Sequence, residues 1–392
     1  MKTFKVIVLG AGKVGRAVAH FLANNEWGGF EVALCDSDPV ALKASASTLL
    51  RTYTLQVTDL AHLTHSLRGA HSVVSALPSS FNPVVAEACL ATGANYFDLT
   101  EDFSGSQIIR AIAEKAAPGQ IFMPQCGLAP GFISVAAGHL AKQFDRLETL
   151  HMRVGALPIF PTNMLKYNLT WSTDGLINEY CNPCQAIIDG ELHEVMALEG
   201  HETFNWDGVE YEAFNTSGGL GTMCETLKGK VRELNYKAIR YKGHRDLAHF
   251  MMNELRLRDD RAVLRALLEK SVPSTRQDAV FTFCSATGWK NGQYEQLTDA
   301  RRVRHGAFAD KEWSAIQMTA AAAVCAMVDL HALNHFKDPR GLLRQEEVSF
   351  EDFLSNRFGC IYDIRGKSPV GAEESSIMPA LKGSGIYQSA NR

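Results

Sequence analysis

The stretch "KVIVLGAGKVGRAVAHFLANN", starting at Lys5, constrains this chain more than any other. Residues 5–10 form a continuous apolar run of the kind found in a parallel strand buried on both faces. Beyond it, Val14, Val18, Phe21 and Leu22 repeat at helical spacing. At the junction, Gly10-Ala11-Gly12-Lys13-Val14-Gly15 completes G-x-G-x-x-G, and Asp36 closes the next apolar run, "EVALCD". Glycines so placed permit a tight turn and let a pyrophosphate approach the helix N-terminus. An acid about 20 residues further on accepts from ribose hydroxyls and repels a 2′-phosphate. The motif therefore predicts an NAD site built on Gly10, Gly12, Lys13, Val14, Gly15 and Asp36.

The alternation of strand and helix continues through "LQV" (55–57), "SVVSAL" (72–77), "NYFDL" (95–99) and "QIFMP" (120–124). Six such strands with helices between them predict an α/β fold, a Rossmann doubly wound parallel sheet over 1–125. Its crevice lies between the first and fourth strands. Ala76, Leu77, Pro78 and Ser79, with Leu99 from the fifth strand, are expected to line the nicotinamide side. The fifth strand's exit, "FDLTED", also offers Asp98, Thr100, Glu101 and Asp102.

After "CGLAPGF" (126–132) the alternation stops, and a second, α+β domain over 126–313 is expected. Strands are read at "LETLHMRVGALP", "YEAFNTS" and "LNYKAIRY", and helices at "GLINEYCN" and most of "RDLAHFMMNELRL". "WKNGQYEQL" is a hairpin turning on Asn291-Gly292. A small-residue helix over 314–333 is expected to return, within 314–350, to the first domain. The Gly-, Ser- and Pro-rich stretch 366–392 reads as a flexible tail.

A length of 392 residues, with 46% hydrophobic and 21% charged residues, fits a two-domain globular chain. A net charge of -4 argues against nucleic acid or an anionic membrane as partner. The N-terminus runs directly into a strand, so a cytoplasmic location is expected. Nine scattered cysteines read as reduced thiols. "CNPC" (181–184) lacks the second pair of a zinc site, so no metal is expected. His331 and His335, at i and i+4, lack the glutamate of a zinc-protease motif and read as surface residues.

In order, "SALPSSFN", "GANYFDLT", "CGLAPGF", "WSTDGL" and "YKAIRYKGH" behind the nucleotide fingerprint resemble the saccharopine dehydrogenase-like family. The resemblance runs from the first strand to about residue 250 and continues more weakly through the 314–333 helix. It implies hydride transfer at an amine-bearing carbon, a small amine or amino acid substrate, and a homodimer or homotetramer built on the second domain. Where this chain has Asp174, saccharopine reductases carry an arginine, which grips a carboxylate. An aspartate cannot; it can hold an ammonium. The departure therefore points to oxidative deamination of a side-chain amine such as that of lysine. On this resemblance Asp98, or His244 in its place, takes a proton or activates water. Arg240, with Lys237, Thr216 and Ser217, holds a substrate carboxylate, and Asp174 holds the ammonium. A saccharopine or carboxynorspermidine dehydrogenase running reductive amination, or a non-catalytic NAD-binding sensor, are the alternatives.

Overall fold

A computed structural model describes residues 3–24, 28–45 and 50–363; the expected tail at 366–392 lies outside them. The first domain contains β1 (Phe4–Leu9), β2 (Phe30–Asp36), β3 (Arg51–Thr54), β4 (Ser72–Ser75), β5 (Asn95–Asp98) and β6 (Ile121–Met123). All pair in parallel, in the order β6-β5-β4-β1-β2-β3, the arrangement of a doubly wound nucleotide-binding sheet. The central strands are sealed on both faces, which is why they read as unbroken apolar runs. β3 is the exception. It is formed by "RTYT" and not by the expected "LQV", because an edge strand needs no apolar face. Leu55 follows it as a buried anchor whose N–H donates to Asp36 O.

The second domain is a mixed sheet of β7 (Arg146–Pro158), β8 (Cys184–Ile188), β9 (Glu191–Val195), β10 (Glu202–Trp206), β11 (Val209–Asn215), β12 (Glu233–Tyr241), β13 (Asp278–Lys290) and β14 (Gln293–Arg304). β12 runs parallel to β7, and the other neighbours are antiparallel. β13 and β14 turn on Asn291 and Gly292, both at positive φ (51° and 77°), which the right-handed strand twist requires of a two-residue turn. A small hairpin, β15 (Gly306–Phe308) and β16 (Lys311–Trp313), follows.

The chain then returns to the first domain. The helix Ala315–Ala332 starts with a Ser314–Gln317 capping box and is buried along its length. It is long and apolar enough to cross a membrane, yet it is packed inside the protein. Cys325 Sγ contacts Val18 O on the nucleotide-side helix Lys13–Ala23. Phe308 and Trp313 meet Phe21 of that helix edge-on. β17 (Gly341–Leu342) adds a seventh parallel strand beside β6.

One expectation changes here and another is refined. His331 is buried, with Phe336 stacked on it and His71 tilted against it, and burial holds its pKa down at about 4. It is a core residue at the helix–sheet junction and not a surface one. The region 245–257, expected to be helical over most of its length, is α-helical over His244–His249 and widens into a π-turn at Phe250–Glu254. All nine cysteines are free, and only Cys360 is exposed.

Candidate active site

The carboxyl ends of β1, β4, β5 and β6 open onto a cleft of about 580 Å³, closed on its far side by the second domain. The nucleotide loop forms one end. Gly10 has φ +104°, and a Cβ there would lie 2.6 Å from Ala76 O; a Cβ on Gly15 would fall 1.9 Å from Gly10 O. Both glycines are therefore demanded by the approach of β1, the following helix and β4. Gly12 caps that helix with no side-chain hydrogen bond, and no acid occupies its first turn. The leading N–H groups and the positive end of the helix dipole are thus directed at an anion. Ala11 N–H donates to Asp36 Oδ2 at 2.6 Å and Asp38 N–H to Oδ1 at 2.9 Å. These bonds fix the acid beside the loop, with lone pairs left for hydroxyls. The donor set and the bare glycine turn fit a dinucleotide. Gly12, Lys13, Val14, Ala76, Leu77, Pro78, Ser79 and Leu99 all line the cleft; Gly10, Gly15 and Asp36 are not among its lining, the two glycines packing within the turn and Asp36 holding its Ala11 N–H.

The second domain supplies the opposite wall. Ser172 caps the helix Thr173–Cys181, its Oγ accepting from Gly175 N–H at 3.2 Å, a bond worth about 1 kcal/mol. That helix presents Asp174, Asn178 and Glu179 to the cleft, and β12 presents Tyr236 and Arg240. Arg240 is buried and already engaged. Its Nη2 lies 3.1 Å from Glu179 Oε2, its Nε donates to Tyr180 Oη at 2.8 Å, and its Nη1 donates to Ile239 O at 2.9 Å. It also stacks over the rings of Tyr167 and Tyr180. Burial pushes the Glu179 carboxyl up to about 7, against the pull of Arg240 and with the help of Glu101. Glu101, on the β5 exit, is itself raised by burial and receives a hydrogen bond from Asn178. Burial, more than their mutual repulsion, thus makes both carboxyls costly to ionise, and a buried carboxyl near neutrality can exchange a proton with a bound molecule. Nearer solvent, Asp174 Oδ2 pairs with Arg265 Nη1 at 3.2 Å, with side chains 61% and 53% exposed.

Several expected residues lie elsewhere. Asp98 is fully buried and accepts from Tyr96 Oη (2.6 Å), Thr100 N–H (2.9 Å) and Gln125 N–H (2.9 Å). It ties β5 to the loop after β6 and faces away from the cleft, because strand alternation turns Leu99 inward and Asp98 outward. His244 is a second correction. Its Nδ1–H donates to Leu165 O at 2.7 Å, and its Nε2 accepts from Tyr180 Oη at 2.8 Å. Burial, with Arg240 nearby, holds it neutral at about 3, so it orients Tyr180 and Arg240 instead of touching substrate. Lys237 lies on the opposite face of β12 from Arg240, with Nζ 2.6 Å from Glu202 Oε2. Thr216 and Ser217 are buried behind the cleft wall, where Ser217 Oγ donates to Asn178 O at 2.9 Å. Gly218, at φ +90°, lets this turn press on Glu101: a Cβ there would be 2.7 Å from Glu101 Cβ.

Glu179, Asn178, Tyr236, Arg265 and Glu269 line the cleft and were not singled out from the sequence. The signal for Glu179 and Asn178 was their place one turn beyond Asp174 on the same helix. Nothing in the sequence points to Arg265 and Glu269, whose helix Arg261–Ser271 reaches the site by tertiary packing alone.

The family model for the saccharopine dehydrogenase C-terminal domain matches residues 127–356. The chain belongs to the saccharopine dehydrogenase family. The family's NADP binding domain model matches residues 6–121. Mitochondrial alpha-aminoadipic semialdehyde synthase from Mus musculus is 25% identical over 262 residues, 59% of this chain and 27% of that protein. The chain thus spans about a quarter of the length of that curated relative. Saccharopine dehydrogenase (L-Glu forming) from Saccharomyces cerevisiae shares the fold, with a TM-score of 0.71, 17% identity, and coverage of 88% of this chain and 94% of that one.

Proposed function

We propose that this family member is an NAD-dependent lysine 6-dehydrogenase, releasing the side-chain amine of lysine as ammonia and leaving an aldehyde that cyclises. The observation that carries the reading is the meeting of the nucleotide loop and the acidic pair Glu101–Glu179 in one cleft. The four acids on its walls, Glu101, Asp174, Glu179 and Glu269, outnumber its cations Lys13, Arg240 and Arg265, which favours a substrate with a second ammonium over saccharopine, whose glutarate arm would add carboxylates.

A bound nicotinamide would accept the hydride, held by the glycine turn, the β4 exit (Ala76–Ser79) and Leu99. The protein's own part is proton management. An alkylammonium titrates near 10.4 and cannot give up hydride until it is neutral. Burial in the cleft lowers that value, and Glu179, poised at about 7, accepts the proton. Once that first proton has passed to solvent, the same carboxylate takes a proton from the water that adds to the iminium carbon and returns it to the amine nitrogen, which departs as ammonia while the hydroxyl proton goes to solvent. Arg240 keeps Glu179 ionisable despite its burial, and Tyr180 and His244 fix the guanidinium. Asp36 supplies the preference for NAD, since a 2′-phosphate would face its carboxylate.

The test is the near-ultraviolet absorbance of reduced nucleotide, with NAD or NADP and a panel of lysine, cadaverine, saccharopine and glutamate. Signal growth with lysine and NAD is expected. Turnover of saccharopine alone would replace this reading with the reductive-amination one, and silence across the panel would leave a nucleotide-binding sensor. Asp36→Ser is expected to raise activity with NADP relative to NAD.

A further inference from the structure

The rim of the cleft carries three charged side chains of mixed sign that proton transfer leaves unused. On the helix Arg261–Ser271, Arg265 Nε lies 3.0 Å from Glu269 Oε1, and Arg265 Nη1 reaches 3.2 Å across to Asp174 Oδ2. All three residues line the cleft. Each side chain is about half exposed, so water screens the pairs and partners exchange easily. A guanidinium flanked by two carboxylates is the electrostatic complement of a zwitterion. The planar fork takes a carboxylate on two N–H groups, and the freed carboxylates take an ammonium. An α-amino acid head group presents both charges on one carbon.

The spacing agrees. Asp174 and Glu179 are five residues apart on one helix, about 7.5 Å along its axis. In lysine, Cα and Nζ are separated by five bonds, about 6 Å when extended. We propose that Arg265, with Asp174 and Glu269, binds the α-carboxylate and α-ammonium of an α,ω-diamino acid whose distal amine lies at Glu179. This rests on the amine-oxidation reading and adds which end of the substrate is read at the rim, and by which residues. Arg240, the carboxylate holder expected from the sequence, is replaced in that role because Glu179, Tyr180 and Ile239 already occupy it.

The experiment is steady-state kinetics of the full chain with NAD on three substrates: lysine, cadaverine (no carboxylate) and 6-aminohexanoate (no α-amine). Arg265→Gln is expected to lower kcat/KM for lysine relative to cadaverine about tenfold or more, chiefly through KM, as loss of a charge-assisted contact does. Arg265→Lys should recover part of that ratio. Asp174→Asn is expected to lower kcat/KM for cadaverine relative to 6-aminohexanoate. A wild type that oxidises lysine while Arg265→Gln leaves the lysine-to-cadaverine ratio unchanged overturns the rim assignment alone. A wild type that oxidises none of the three overturns the amine-oxidation reading, and the rim assignment falls with it.

Discussion

Two arginine–carboxylate pairs face this cleft, their carboxylates on the same short helix, and they are built in opposite ways. Glu179 and Arg240 are 14% and 4% exposed in their side chains, and Tyr180, Ile239 and a tyrosine cage hold the guanidinium. Asp174 and Arg265 are more than half exposed, and Glu269 joins the arginine from its own helix. In the buried pair, desolvation opposes attraction, and the result is a carboxyl titrating at about 7. In the exposed pair neither partner is committed. The difference teaches that an ion pair can serve chemistry through its rigidity or recognition through its looseness, according to its depth in the cleft.

The strongest way to break this comparison is Glu179→Gln. It is expected to lower kcat by about 10²–10⁴-fold, the range of a lost general base. In the wild type the rate should rise with pH as Glu179 ionises around 7, and that limb should vanish in the variant. A retained limb would assign it to another group; His244, held near 3, stays neutral across such a titration. Next comes Arg240→Met, which leaves Glu179 buried without its counter-charge. It should destabilise the fold by about 3–5 kcal/mol in denaturant titration. It should also move the activity limb to higher pH, since the guanidinium opposes the effect of burial. The exposed pair should behave otherwise: Asp174→Asn is expected to shift Tm by no more than about 1–2 °C. A larger fall would mean that the rim is structural. The smallest effect is expected of Lys237→Met. It lies three residues from Arg240 but on the other sheet face, so kcat and KM should stay within about twofold.

The misreading of Asp98 has a physical cause. Side-chain direction in a strand flips at every residue, and a strand buried on both faces gives no polar pattern to set the phase. The sequence around "NYFDL" is compatible with either Asp98 or Leu99 facing the nucleotide. The structure decides it: Asp98 accepts from Tyr96, Thr100 and Gln125, and Leu99 lines the cleft. The nucleotide loop was legible because its requirement is local: glycine spacing, strand and helix lie within one short stretch. Asp174 was legible as a charge but not as half of a pair, because Arg265 lies on a helix whose sequence carries no mark of the site. Glu179 and Arg240 meet across 61 residues, and no periodicity within either segment reports the other.

The return of the chain over 314–342 has a consequence for engineering. β17 completes the nucleotide-binding sheet beside β6, and the helix Ala315–Ala332 lies against the helix that follows the glycine turn. Its Ile316 and Ala320 also form part of the cleft. The nucleotide-binding half is therefore not a cassette. Cut out at the boundary between the two family models, it would expose a bare strand edge on β6 and an unclothed apolar helix. Grafting a relative's N-terminal half onto this substrate wall would require transplanting the returning segment with it.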